Sequence, residues 1–173
     1  MSISSSIKEE ISLKKFKEKV INDFRTVSLS RETSVQGRRE VLLGKGKFGI
    51  FGDGKELPQV VMSHFFKDGD YRSGYYRDQT LLMSQNLISA REIFSAVYGH
   101  PDKVYEKMSG GRQMAGHFLT NTIDENNNWI DQTSQKNHIS DISPTASQMS
   151  RLVGLGLASK IYRNNRIIDS EKF

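Results

Sequence analysis

The sequence predicts an α/β chain that is mostly helical, with an amino-terminal helical arm. Three observations lead to it. Phe16, Val20, Ile21 and Phe24 recur at the spacing of one helix face. Five glycines fall between Gly44 and Gly54, which ends the arm in a loop. Tyr71 to Tyr76 is short and aromatic, the character of an extended segment, and helical stretches flank it. The arm is accordingly drawn over residues 1–44 and the remaining unit over 45–173.

Taken in order, Ser6-Ile7-Lys8-Glu9 has the form of a capping box, in which the serine and glutamate satisfy each other's orphan amides. A first helix is expected from Leu13 to Val27 and a second from Ser30 to Leu43, with Gly44 as the stop. Leu57 to Phe66 reads as a buried helix carrying Pro58 in its first turn, where a proline is tolerated. Lys67-Asp68-Gly69-Asp70 is a turn. Asp78 to Gln85 is helical, with Leu81, Leu82 and Met83 for the core. Ser89-Ala90-Arg91-Glu92 is a second capping box, opening a helix through Ile93, Phe94, Val97 and Tyr98 that Gly99 and Pro101 stop. Asp102 to Asp141 holds few periodic apolar positions, and Asp124 to Asn128 is an exposed turn; a loop of that length is usually functional or disordered. Ser147 to Tyr162 is helical again, with Gly154, Gly156 and Ala158 forming a small-residue face. There is no internal repeat and no low-complexity tract.

The 173 residues are enough for one domain with a core. With 36% hydrophobic and 26% charged residues the chain is polar without being disorder-like. It has no cysteine, which excludes disulfides, thiolate catalysis and cysteine-ligated metals in this chain. No apolar run approaches the ~20 residues of a membrane span, and Met1 to Ser6 lack the apolar core of a secretory signal. A cytoplasmic location without membrane contact is the expectation. The net charge of +5 would suit an acidic partner. Lys14, Lys15, Lys17 and Lys19 nevertheless alternate with apolar positions, which reads as a solvated helix face in preference to a nucleic-acid patch. Gly44-x-Gly46-x-x-Gly49 has the glycine spacing of a dinucleotide fingerprint but lacks the strand before it and the helix after it. His64, His100, His117 and His138 show no metal-ligand spacing, and there is no serine nucleophile elbow.

Three groups of residues, in order, carry a family resemblance. The first is Gly46-Lys47-Phe48-Gly49-Ile50-Phe51-Gly52-Asp53-Gly54-Lys55-Glu56. The second is Gly74-Tyr75-Tyr76-Arg77-Asp78-Gln79, followed by Gly111-Arg112-Gln113-Met114-Ala115-Gly116-His117-Phe118. The third is Ile142-Ser143-Pro144-Thr145-Ala146-Ser147-Gln148-Met149, leading into the small-residue helix. From Ser30 to Tyr162 the chain resembles the alpha-subunit region of the thiamine-diphosphate-dependent decarboxylating component of branched-chain 2-oxo acid dehydrogenase complexes. The wording is nearest to versions that fuse alpha and beta regions in one polypeptide.

The resemblance implies an incomplete thiamine-diphosphate-binding fold, an amino-terminal part of such an enzyme. It implies oxidative decarboxylation of a branched-chain 2-oxo acid or pyruvate, with acyl transfer to the lipoyl groups of an acyltransferase core. Tyr76 and Arg77 match the family's Tyr-Arg pair that touches the cofactor diphosphate; a guanidinium fork and a phenol are suitable donors for phosphate oxygens. Ser143 would lie near the same diphosphate. Pro144, through its carbonyl, with Ser147 and Gln148, would surround a potassium ion. Ile142 stands where the family usually has a serine, and Ser147 where it has a threonine. Gly111 to Met114 resembles the loop into the active-site funnel, with His117 near the substrate entrance and no catalytic role assigned.

Magnesium in this family is held by Gly-Asp-Gly and an asparagine roughly thirty residues later. Gly52-Asp53-Gly54 lacks that asparagine, because Gln79 to Met83 contain none. It therefore reads as an ordinary turn, with the Mg2+ ligands beyond this chain. The beta region, in the same or a separate chain, would complete the site. The chain alone is expected to be inactive, and its incomplete sheet and exposed apolar faces to favour poor solubility or oligomerisation. Two other readings stay open: a non-catalytic basic binding module, and a degenerate relative that keeps the diphosphate contacts.

Overall fold

The computed structural model describes residues 12–141 and 143–165. The Ser6–Glu9 capping box, Ile142 and the end of the chain lie outside the described residues. Among the described residues five helices and two short strands follow in the order α1 (Leu13–Leu42), α2 (Glu56–Ser63), β1 (Tyr71–Ser73), α3 (Gln79–Ser84), α4 (Ala90–Val97), β2 (Asn137–Ile139) and α5 (Ser147–Asn164), with a 3-10 turn at Gln132–Ser134. The chain is thus mostly helical with a small parallel sheet.

The two helices expected before Gly44 are one continuous helix of 30 residues. Ser28, Leu29 and Ser30 offer no breaker, so nothing stops propagation once the first turn has formed. Ser12 caps the start, accepting the Lys15 amide. Gly44 ends it with φ +74: its amide reaches the Val41 carbonyl at 3.0 Å and the Lys45 amide the Glu40 carbonyl at 3.0 Å, a Schellman closure. The buried face of α1 is not the apolar one. Ser30, Thr33, Ser34 and Gly37 are buried, whereas Phe16, Val20, Ile21 and Phe24 face solvent. The small residues bring α3 close enough to bond. The Gln79 side-chain amide donates to Ser30 Oγ and Ser34 Oγ at 3.1 and 2.9 Å, and Ser30 Oγ lies 2.6 Å from Thr80 Oγ1. Gly37 makes way for the Phe51 ring, which would lie 2.3 Å from a Cβ there.

Residues 44–54 form the expected loop. It is tied down by Glu56, whose carboxylate takes both the Arg31 fork at 2.7 Å and the Gly54 amide at about 3 Å. The next helix is shorter and more exposed than expected. It ends at Ser63, and only Glu56, Gln59 and Val60 are buried while Leu57, Val61 and Met62 are not. α3 forms within the expected Asp78–Gln85 stretch, and α4 forms where its cap predicts. The Ser89–Glu92 box is complete, with Ser89 Oγ accepting the Glu92 amide and the Glu92 carboxylate accepting the Ser89 amide. Gly99, at φ +65, closes α4 with the same two-bond pattern as Gly44. Leu82, Met83, Ile88, Ile93, Ala96 and Val97 meet Phe51, Ala115 and Phe118 in one core.

Of the extended stretch only Tyr71–Ser73 is strand. It pairs in parallel with β2, in the register Tyr71↔Asn137, Arg72↔His138 and Ser73↔Ile139. The long segment before β2 holds the exposed turn at Asp124, whose amide donates to the Asn128 carbonyl at 2.9 Å. α5 begins at Ser147, as expected, behind Ala146, which is left-handed at φ 70. It buries no residue among those described, and nothing lies within 4 Å of a Cβ built on Gly154 or Gly156. No helix among the described residues is long and apolar enough to cross a membrane.

Candidate functional site

Three segments converge where the loop after β1, the loop before β2 and the turn ahead of α5 meet. Together with Phe48, Ile50, Met114 and Ala115, the side chains of Tyr76, His117 and Ser143 line a cavity of about 230 Å³. Tyr76 is held there by backbone contacts. Gly116, at φ +93, lies so close that a Cβ would come within 2.6 Å of the Tyr76 carbonyl. Its phenol accepts a hydrogen bond from Tyr75 at 2.6 Å, and Tyr75 Oη lies 3.3 Å from Thr145 Oγ1, so the hydroxyls bridge the two sides of the site. The Thr145 bond holds the Tyr75 phenol below its ordinary pKa. On the opposite wall the His117 Nδ1–H donates to the Met114 carbonyl at 3.0 Å. In the neutral ring that leaves Nε2 to accept the Ser143 hydroxyl at 2.9 Å.

Arg77 follows Tyr76 with its guanidinium carbon 5.4 Å from the centre of the Tyr76 ring. Its carbonyl accepts the Gln59 side-chain amide at 3.0 Å and presses on Gly52, where a Cβ would lie 2.2 Å from that oxygen. Its Nε is buried without a hydrogen-bond partner, a donor left over where buried donors are ordinarily satisfied. The polar groups lining the cavity are one phenol, one aliphatic hydroxyl and one imidazole, and the Tyr75 phenol, the Thr145 hydroxyl and the Arg77 guanidinium adjoin them. The cavity thus offers a few polar groups set in a largely apolar wall.

No family model matches the chain. It is 27% identical over 152 residues to the 2-oxoisovalerate dehydrogenase subunit alpha of Bacillus subtilis (strain 168), a match covering 86% of this chain and 40% of that protein. The chain is a distant relative of that subunit. It spans about 40% of the length of the curated relative it matches.

Against this relationship the expected residues fall into two groups. Tyr76 and Ser143 come together on the cavity, with Arg77 beside Tyr76. Pro144, Ser147 and Gln148 lie around the start of α5, where the Pro144 carbonyl accepts the Ser147 amide at 3.3 Å. Among the described residues no group of three or more His, Cys, Asp or Glu side chains could hold a metal ion. Gly52-Asp53-Gly54 acts as a turn, with Asp53 paired to Arg38 and Gly54 at φ +90. Sequence reasoning missed Tyr75 and Thr145, whose hydroxyl bridge has no signature beyond lying inside the quoted motifs, and the apolar lining from Phe48 and Ile50.

A second polar cluster, also unforeseen, lies beneath the site. Arg72 on β1 donates through Nε to His138 Nδ1 at 2.9 Å, through Nη1 to Asp78 at 2.5 Å and through Nη2 to Asp141 at 3.3 Å. His138 is therefore the neutral tautomer, with Nε2–H facing Gln85 Oε1 at 2.9 Å. Burial, reinforced by Arg72 and Lys136, lowers its pKa to about 3. Burial likewise raises the Asp141 carboxyl to about 7 despite Arg72, and its Oδ2 has no hydrogen-bond partner.

Proposed function

We propose that this chain is the diphosphate-holding part of the alpha region of a thiamine-diphosphate-dependent 2-oxo acid dehydrogenase, acting on a branched-chain 2-oxo acid or pyruvate. The observation that carries the reading is the meeting of Tyr76 and Ser143 on one cavity beside a buried Arg77 Nε that has no partner. The relationship to an alpha subunit named for 2-oxoisovalerate supports it. In this reading Arg77 contributes charge, the Tyr76 hydroxyl donates to a phosphate oxygen, and the Ser143 hydroxyl does the same on turning away from His117 Nε2. When bound, thiamine diphosphate provides the electron sink that lets a 2-oxo acid lose carbon dioxide. The Pro144 carbonyl, Ser147 and Gln148 are assigned to potassium, for which a set of neutral oxygens is suitable. Magnesium is assigned to ligands outside this chain, and acyl transfer to partners: a beta region and a lipoyl-bearing acyltransferase core.

The test is calorimetric titration of the purified chain with thiamine diphosphate and magnesium, in potassium and in sodium buffers. Binding is expected, stronger in potassium. Arg77→Gln should weaken it by about tenfold or more, since hydrogen bonds to charged groups contribute about 1.5–3 kcal/mol. No decarboxylation of 3-methyl-2-oxobutanoate by the chain alone is expected. A folded chain that binds no thiamine diphosphate would sink the proposal.

A further inference from the structure

The guanidinium of Arg72 touches both arms of the candidate site at their roots. Asp78, which it grips at 2.5 Å, directly follows Arg77, and the same Asp78 oxygen accepts the Tyr75 amide at 3.0 Å, pinning the turn that presents Tyr75 to Arg77. Asp141, its other carboxylate, lies two residues before Ser143. His138, its third acceptor, sits on β2, the strand leading into that segment. The fit leaves no slack, because a Cβ on Gly74 would lie 2.0 Å from Arg72 Nη2 and 2.2 Å from Asp141 Oδ1. The Arg72 side chain is 9% exposed and that of Asp141 fully buried. Burying such charges costs desolvation that their attraction recovers only with good geometry, so a buried pair is weak evidence of a stabilising role. What this cluster adds is a side-chain tie between two chain segments beyond the end of the β1–β2 pairing, where they otherwise meet through hydroxyl contacts at the surface of the site.

We propose that Arg72, with Asp141 as its partner, is the positioning residue of the diphosphate site, holding the Tyr76–Arg77 arm at the spacing from Ser143 that a diphosphate requires. This rests on the proposed function and adds to it the residues that set the gap.

The experiment titrates the full chain with inorganic diphosphate and magnesium, well below the melting temperature, comparing the parent with Arg72→Lys, Asp141→Asn and Ser89→Ala. The last removes the α4 cap, remote from the site, and serves as the control for lost stability alone. Arg72→Lys and Asp141→Asn should weaken binding by about tenfold or more, the scale of coupling through a shared network, while Ser89→Ala leaves it unchanged. Equal affinity in all folded variants overturns the positioning role and leaves the proposed function standing. A folded parent that does not bind removes the proposed function and this inference with it. Should neither network variant fold, the Arg72 Nε–H resonance of the parent decides: a shift that saturates with diphosphate is expected, and constancy through saturation overturns the role.

Discussion

Gly52 is present for a reason that only the contact reveals. Its φ is not the left-handed value of Gly44 or Gly54; what it lacks is a Cβ, which would come within 2.2 Å of the Arg77 carbonyl. That carbonyl is also fixed by Gln59, so it has little room to retreat. Gly52→Ala should cost about 1–3 kcal/mol, the scale of forcing one carbon into a packed site. A denaturant melt would read this as a lower midpoint with the slope unchanged, and an unaltered midpoint would show that the backbone gives way freely. The second Gly of the same triplet, at φ +90 in open space, is there for conformation alone. At this scale the motifs identified Tyr76, Arg77 and Ser143 as residues to watch. They did not disclose Tyr75, Thr145 or Arg72, because a hydroxyl bridge and a buried guanidinium leave no spacing in the sequence.

Elements were legible where the chain carries its own punctuation. α4 begins at a serine with a glutamate three residues on and stops at a glycine, all local chemistry. Ser89→Ala should remove about 1 kcal/mol, seen as a fall of a few degrees in the circular-dichroism melt; a change within error would mean that packing of Ile93 and Val97 alone sets the helix start. Elements were misread where burial is polar. α1 hides Ser30, Thr33 and Ser34 and shows its phenylalanines, so apolar periodicity pointed at the wrong face and suggested a break that does not exist. β2 is Asn137-His138-Ile139, with the first two residues buried and bonded and no alternation to betray a strand. The helix after the glycine loop lost its apolar reading for the converse reason: Leu57, Val61 and Met62 stay exposed while Glu56 and Gln59 are buried.

At the scale of the molecule, two buried groups give opposing responses to pH. His138 stays neutral in the fold down to about 3, whereas an unfolded histidine takes up a proton near 6.5; its contribution is lost as pH falls through that range. Asp141 keeps its proton in the fold up to about 7, whereas an unfolded aspartate loses it near 3.8; its contribution is lost as pH rises through that range. The two slopes oppose each other between about 4 and 6.5. Asp141→Asn removes one of them, so its melting temperature should climb more steeply over that interval than the parent's. Parallel curves would mean that Asp141 titrates as an ordinary carboxylate.

The parallel pairing of β1 with β2 also sets an order of events during folding. Arg72 and His138 lie 66 residues apart in the chain. Closing so long a loop is slow compared with forming helices whose contacts are local. On a ribosome the Tyr76–Arg77 segment would emerge and find its helices well before Asp141 exists to be gripped. The cavity between the two segments is therefore completed only in the closing step of folding. A ligand spanning them would act on that step alone, slowing the opening of the strands and leaving the helical nucleus untouched.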